Sequence, residues 1–369
     1  MTLTCRAAVL HQSGTPLSVE RVSLAPPAPT DVVVKVRAAG LCHTDLEVID
    51  GSLRYPLPMI LGHEAAGVVE EVGSAVRDVR AGDHVILSWN PHCGHCFHCD
   101  RGQPILCETY LARGAEGVHF DGASKAQLAG GSGLAHLMFL GAFSEYVVLP
   151  AQQAIVVPKD IPFDRACLIG CGVMTGVGAA LNVADIGHGD TVMVTGCGAV
   201  GLAAMQGARL AGAGAIIAVD LDDAKLALAR TLGATQVVNA ARQDPVQFAK
   251  EATRGRGADV ILEAAGHPLA FRHTAEAVRP GGEVIRLGKI DVTQDVSFRW
   301  GALMGEKRFR RSSYGGARPR RDFPLLAQAY LDGRLKLDEL ITGRCTLDGI
   351  NDGFEALRRG RSIRTVVEF

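Results

Sequence analysis

The chain has 369 residues, 47% apolar, 21% charged and 5% aromatic, with a formal net charge of −1. One hydrophobic core rarely serves that length, so two domains of a water-soluble protein are expected. A neutral balance with few aromatics argues against nucleic acid or an anionic membrane as partner, because both favour a basic face.

From the N-terminus, Met1 to His11 shows no apolar signal segment or cleavage motif, so a cytoplasmic location is expected. Short β-branched runs broken by Gly, Pro and Asp follow: 31–36, 65–72 and 83–87. This texture predicts a β-barrel or sandwich over the first ~170 residues. Residues 113–135 are glycine-rich and weakly patterned, which predicts a surface loop or lobe. From about 173 strands and helices alternate. Thr191–Thr195 reads as a buried strand, followed by a glycine turn and an alanine-rich helix to Leu210. The stretch 191–208 carries no charge, but its glycines and its flanks, Asp190 and Arg209, favour a buried strand, turn and helix over a membrane span. Strands at 215–220, 236–239, 259–263 and 283–287, with helices between, imply a parallel doubly wound sheet. An amphipathic helix at 323–331 and a closing strand at 363–369 complete the chain.

Ten cysteines in such a chain point to metal or catalysis rather than disulfides. Four lie together as Cys93-x2-Cys96-x2-Cys99-x7-Cys107. Four thiolates satisfy tetrahedral zinc without another donor, so a closed, unreactive structural site is favoured. An iron–sulfur cluster is the competing reading. The ferredoxin run, however, places its fourth cysteine after three residues and before proline, whereas here the gap is seven and Glu108 follows.

A second constellation is more dispersed. Cys42-His43-Thr44-Asp45 and Gly62-His63-Glu64 each follow a predicted strand, and Cys171 lies just before the change in texture. Two thiolates and one imidazole with a fourth place open make a catalytic zinc site. Taken singly, His63 beside Glu64 also reads as a partly buried pair and each cysteine as a small hydrophobe.

Gly196-x-Gly198-x-x-Gly201 follows a strand and opens a helix, with Val200 inside the turn, and Asp220 ends the next strand. That context is the dinucleotide fingerprint: the glycines let a pyrophosphate approach a helix N-terminus. Asp220 would hydrogen-bond the adenosine ribose and repel a 2′-phosphate, favouring NAD over NADP.

Over nearly its full length the chain resembles the zinc-containing medium-chain alcohol dehydrogenases. Gly62-His-Glu-x2-Gly, the spaced cysteines, Gly196–Gly201 and Ser362-Ile-Arg-Thr fall in that family's order. The resemblance implies an α/β protein with a GroES-like catalytic domain (1–173 and 314–369, zinc lobe about 90–110) and a Rossmann domain (174–313). It implies two zinc ions per subunit: a catalytic one on Cys42, His63 and Cys171, and a structural one on Cys93, Cys96, Cys99 and Cys107. Asp45 would orient His63, Glu64 would lie behind the metal, and Thr44 would bond the substrate oxygen and begin a proton relay. Glu47 stands where the liver-type enzymes end that relay with histidine, so a carboxylate is expected to finish it here. His43 and Arg364 would hold the pyrophosphate, Lys225 the adenosine ribose, and Thr175 the nicotinamide side. Trp89, Leu53, Phe139 and Leu140 would line the substrate pocket, in a cleft between the domains. The implied activity is hydride transfer between a small primary alcohol or aldehyde, aryl or allylic by its look, and NAD. A glutathione-dependent formaldehyde dehydrogenase is the alternative, although its basic anchor for the glutathione carboxylate is not evident here, Arg113 being the one candidate, and a non-catalytic zinc protein is the remote one. A homodimer through the Rossmann domain is expected, without nucleic-acid or membrane partners.

Overall fold

The computed structural model describes residues 3–369. They form two compact units: the chain up to Cys171 together with Arg318–Phe369, and Gly172–Ala317.

The first unit is built on the strand Asp31–Gly40, whose Val32, Val34 and Val36 all point into the core. This strand pairs with three others: Ala65–Val72, Tyr146–Pro150 and, at its C-terminal end, Arg364–Glu368. The sheet continues outward through His84–Leu87 to Ala154–Val156 on one side and to Ile341–Thr346 on the other. Its pairing with Ala65–Val72 shifts register twice, once between Val36 and Ala38. Such bulges bend a strand and re-aim its side chains, here just ahead of Cys42. Five further strands, Leu3–Leu10, Ser18–Leu24, Ala126–Leu128, Gly133–His136 and Met59–Ile60, close into a small barrel. Burial of Leu10, Leu61, Leu87, Leu137 and Phe143 anchors this unit, each side chain contributing about 1.5–3 kcal/mol.

One expectation needs correction. The region 113–135 is not simply a loop. It begins within the helix Glu108–Glu116 and contains a short hairpin, Ala126–Leu128 with Gly133–His136, that closes the barrel. Strands of three and four residues are too short to show alternation, and the intervening Gly130 and Gly131 dominate the composition.

The second unit is a six-stranded parallel sheet in the order Gln236–Asn239, Ala215–Asp220, Thr191–Thr195, Ala258–Glu263, Val278–Arg286, Arg308–Arg311. The order reverses between Thr191–Thr195 and Ala258–Glu263, and at such a switch point ligands bind outside the carboxyl ends of the strands. The GroES-like barrel with a Rossmann sheet is therefore the observed fold. The uncharged 191–208 stretch is the strand Thr191–Thr195 and the start of the helix Ala199–Ala211. Another helical run, Phe163–Val183, has the length and composition to cross a membrane, and 72% of its apolar window is buried within the protein.

Candidate active site

Cys42 lies at the start of the helix His43–Asp50, with extended backbone (φ −126°, ψ 154°). Asp45, one turn on, is fully buried, and its carboxylate gathers three neighbours. Oδ2 accepts from Cys42 N at 3.2 Å, while Oδ1 accepts from Gly62 N at 3.0 Å and lies 3.2 Å from His63 Nδ1. That fixes the His63 ring and leaves Nε2 buried without a hydrogen-bond partner. Gly62 must be glycine: its φ is +92°, and a Cβ there would stand 2.7 Å from Phe143 N. Cys171 comes from the π-helical turn Ile169–Val173 within the helical run. Single π turns inside helices occur often at functional sites.

The ligand atoms of Cys42, His63 and Cys171 all lie within 4.8 Å of one another. Tetrahedral zinc with sulfur at about 2.3 Å places its donors about 3.8 Å apart, so the three residues fit one ion and leave a fourth position. The protonation pattern agrees. The Cys42 thiol, hydrogen-bonded to Cys171 and beside the cations of His63 and Arg364, lies well below its usual range. Cys171, on the other side of that hydrogen bond, lies well above. Burial alone would depress His63, but Asp45 and Cys42 outweigh it and lift the imidazole well above its ordinary value. An anionic thiol packed against a buried imidazole is a donor set suited to a cation, whose binding releases the remaining protons.

Glu64 is fully buried behind this trio. Gly40 makes room for it, since a Cβ there would lie 2.6 Å from Glu64 Oε1. Arg364, 4% exposed, places Nε 3.4 Å from the same oxygen. Sequence reasoning gave Arg364 a pyrophosphate and missed this contact.

Cys93, Cys96, Cys99 and Cys107 likewise bring their sulfurs within 4.8 Å of one another. Cys93 N and Tyr110 N both donate to Cys107 Sγ, at 3.3 and 3.4 Å. The Cys99 amide holds Cys96 below the usual thiol value. Burial and the neighbouring Cys96 and Cys107 push Cys99 up to about 12. Four thiolates this close need a cation to ionise together, and four sulfurs complete a zinc shell.

In the second unit the glycine turn has the geometry that its spacing demanded. Gly196 has φ +87°, and a Cβ on Gly201 would stand 1.8 Å from Gly196 O. A Cβ on Gly198, the N-cap of Ala199–Ala211, would meet nothing within 4 Å. That open side at a helix N-terminus is where a pyrophosphate can approach. Asp220 accepts Cys197 N at 2.6 Å and also the amides of Leu221 and Asp222, so it braces the turn from the next strand. Val200, Lys225 and Thr175 are half-buried in this unit.

The remaining predicted residues divide. His43 is exposed, while Thr44 and Glu47 are half-buried on the helix that Cys42 opens. Leu53 and Trp89 are partly buried against the barrel core. Phe139 and Leu140 are both buried, and Phe139 stacks on His119 (5.1 Å, 11°) and meets Tyr110 and Phe120 edge-on. Phe139 clusters with Cys107 and Tyr110 beside the four cysteines. Arg113 is half-buried and paired with Glu116 at 2.8 Å.

A closed four-sulfur site, an open site of two cysteines and one histidine, and a dinucleotide turn define a metal-dependent, dinucleotide-linked oxidoreductase. Residues 28–159 match the alcohol dehydrogenase GroES-like domain and residues 199–331 the zinc-binding dehydrogenase family. S-(hydroxymethyl)glutathione dehydrogenase of Paracoccus denitrificans is 39% identical, covering 98% of this chain and 99% of its own. The enzyme of that name from Aspergillus oryzae is 40% identical, with 98% and 95% covered. Among solved structures, benzyl alcohol dehydrogenase from Acinetobacter calcoaceticus superposes with a TM-score of 0.94 at 31% identity, covering 100% of this chain and 99% of that one. The chain belongs to the zinc-containing medium-chain alcohol dehydrogenase family. It is an NAD-linked alcohol dehydrogenase with a four-cysteine structural zinc site, a cysteine–histidine catalytic zinc site and an NAD-binding Rossmann fold.

Proposed function

We propose that this chain oxidises the primary alcohol group of S-(hydroxymethyl)glutathione, with NAD as hydride acceptor. The observation that carries this reading is full-length likeness, at 39 and 40% identity, to two enzymes of that name. It reverses the order expected from sequence, which put aryl and allylic alcohols first. The apolar reading keeps a specific observation of its own. Leu53 and Trp89 are partly buried hydrophobics, Arg113 is already tied to Glu116, and the benzyl alcohol enzyme superposes along the whole chain. The test is NADH formation from formaldehyde plus glutathione, set against benzyl alcohol. A higher kcat/KM for the glutathione adduct supports the first reading, and a higher value for benzyl alcohol replaces it with the second.

Cys42, His63 and Cys171 would hold the catalytic zinc, and Asp45 would set the His63 tautomer and ring plane. Zinc supplies Lewis acidity that lowers the pKa of an alcohol, and NAD supplies the two-electron sink. The Thr44 hydroxyl accepts the hydrogen bond of the departing alcohol proton and passes it toward Glu47, on the same helix. Glu64, held by Arg364, keeps a negative charge behind the metal. The glycines at 196, 198 and 201, with Val200, seat the pyrophosphate. Asp220 and Lys225 take the adenosine ribose, and Thr175 the nicotinamide side. Catalysis is assigned to the barrel unit and NAD binding to the Rossmann unit.

A homodimer through the Rossmann unit is part of the same proposal. Val292 and Trp300, 94% and 76% exposed, and the edge strand Arg308–Arg311 support it. Light scattering giving one chain's mass would exclude it.

A further inference from the structure

Tyr110 receives no role from sequence, yet it touches both the zinc lobe and the Trp89 backbone. It lies in the first turn of the helix Glu108–Glu116, whose N-cap is the fully buried Cys107, and its own amide donates to Cys107 Sγ at 3.4 Å. Its ring is buried and meets Phe139 edge-on at 5.4 Å. Its hydroxyl donates to Trp89 O at 2.6 Å, 21 residues earlier in the chain. The preceding carbonyl is held too: Gln153 Nε2 donates to Ser88 O at 2.9 Å and to Met138 O at 3.2 Å, while Ser88 N donates to Gln153 O at 2.8 Å. The backbone at 88–89 is therefore clamped by Gln153 from the barrel and by Tyr110 from the lobe.

A bond of this kind transmits position. Removing it would leave the half-buried Trp89 carbonyl without this partner. Cys107 Sγ accepts the Tyr110 amide and caps the helix that carries Tyr110, so a shift of that sulfur is passed to the helix.

We infer that Tyr110 is a positioning residue that couples the four-cysteine zinc site to the substrate wall at Trp89. The structural zinc then has a second consequence beyond holding its lobe: through Cys107, the helix and Tyr110 it sets where the Trp89 backbone lies. This rests on the reading of Trp89 as part of the substrate wall.

The test uses the zinc-loaded enzyme and the substitutions Tyr110→Phe and Trp89→Ala. Steady-state kinetics with benzyl alcohol and with S-(hydroxymethyl)glutathione are combined with Trp89 emission in a Trp300→Phe background, which leaves Trp89 as the sole tryptophan. For Tyr110→Phe the expected result is a KM raised about two- to tenfold, little change in kcat, two zinc ions per chain and a shifted Trp89 emission. An unchanged emission and KM in Tyr110→Phe, with KM raised in Trp89→Ala, overturns the coupling. If Trp89→Ala leaves KM unchanged for both substrates, the wall reading fails, and the emission of Tyr110→Phe still decides the coupling. Should Tyr110→Phe not fold, exchange of the structural zinc for cadmium in the Trp300→Phe enzyme poses the same question. A shift in Trp89 emission on exchange supports the coupling, and no shift overturns it.

Discussion

Arg364 Nε stands 3.4 Å from Glu64 Oε1, and both side chains are buried behind the cysteine–histidine site although 300 residues separate them in sequence. The closing strand makes this possible: Leu41 N donates to Thr365 O, and Val366 pairs with Gly40. A buried carboxylate deprived of its cation costs about 3–5 kcal/mol. Arg364→Met should therefore destabilise the first unit by about that much, read by denaturant titration of Trp89 emission in the Trp300→Phe background. Adding Glu64→Gln should recover most of the loss. A loss under about 1 kcal/mol for the single substitution would show that the pair is not what holds Glu64.

Asp45 joins Cys42, Gly62 and His63, so its loss should be felt at the metal before it is felt in the fold. Asp45→Ala is expected to weaken the catalytic zinc about 10- to 100-fold and leave the four-cysteine zinc in place. Metal analysis after dialysis against a mild chelator should then fall from two zinc ions per chain toward one. Loss of both ions together would count against separate sites.

Asp220, proposed above to take the adenosine ribose, also braces the glycine turn, because it accepts the amides of Cys197, Leu221 and Asp222. Asp220→Ala should raise the KM for NAD about tenfold or more, as the loss of charge-assisted hydrogen bonds requires. It should also narrow the gap between NAD and NADP. A wild-type enzyme that prefers NADP would contradict the role given to this carboxylate.

Acid should find a weak point beneath the zinc lobe. Burial, helped by the Lys125 charge, pushes His119 down to about 3, and burial with His119 beside it does the same to His136. An unfolded histidine titrates near 6.5, so between about pH 6.5 and 3 the unfolded chain binds protons that the folded chain refuses. Stability present above pH 6.5 is lost as pH falls through that window, by up to about 1.4 kcal/mol per pH unit for each ring. His119→Phe should flatten that slope in denaturation measured from pH 7 to 5. An unchanged slope would show that His119 is protonated in the folded protein.

The parts that sequence revealed are the local ones. Cys93 to Cys107 close on one ion within 15 residues, and Gly196 to Asp220 form one strand, turn, helix and strand, so spacing alone carries their geometry. Cys42, His63 and Cys171 are scattered over more than a third of the chain, and only family likeness joined them before the fold did. The barrel-closing hairpin at 126–136 was hidden because its strands are too short for alternation to register. The packing of Phe139 against His119, Tyr110 and Phe120 leaves no sequence signal either, since an aromatic reads the same whatever it faces. The Tyr110–Trp89 and Glu64–Arg364 contacts leave no periodic or motif signal, since each depends on where distant elements meet.

The central claim is that chemistry belongs to the site of Cys42, His63 and Cys171 and not to the four-cysteine site. The most direct measurement is NADH formation by His63→Ala, with zinc counted in the same sample. The account predicts one zinc ion per chain, an intact fold and turnover reduced at least a thousandfold, on the order of the loss of a principal catalytic group. An enzyme that keeps substantial turnover with only the four-cysteine zinc in place would contradict it.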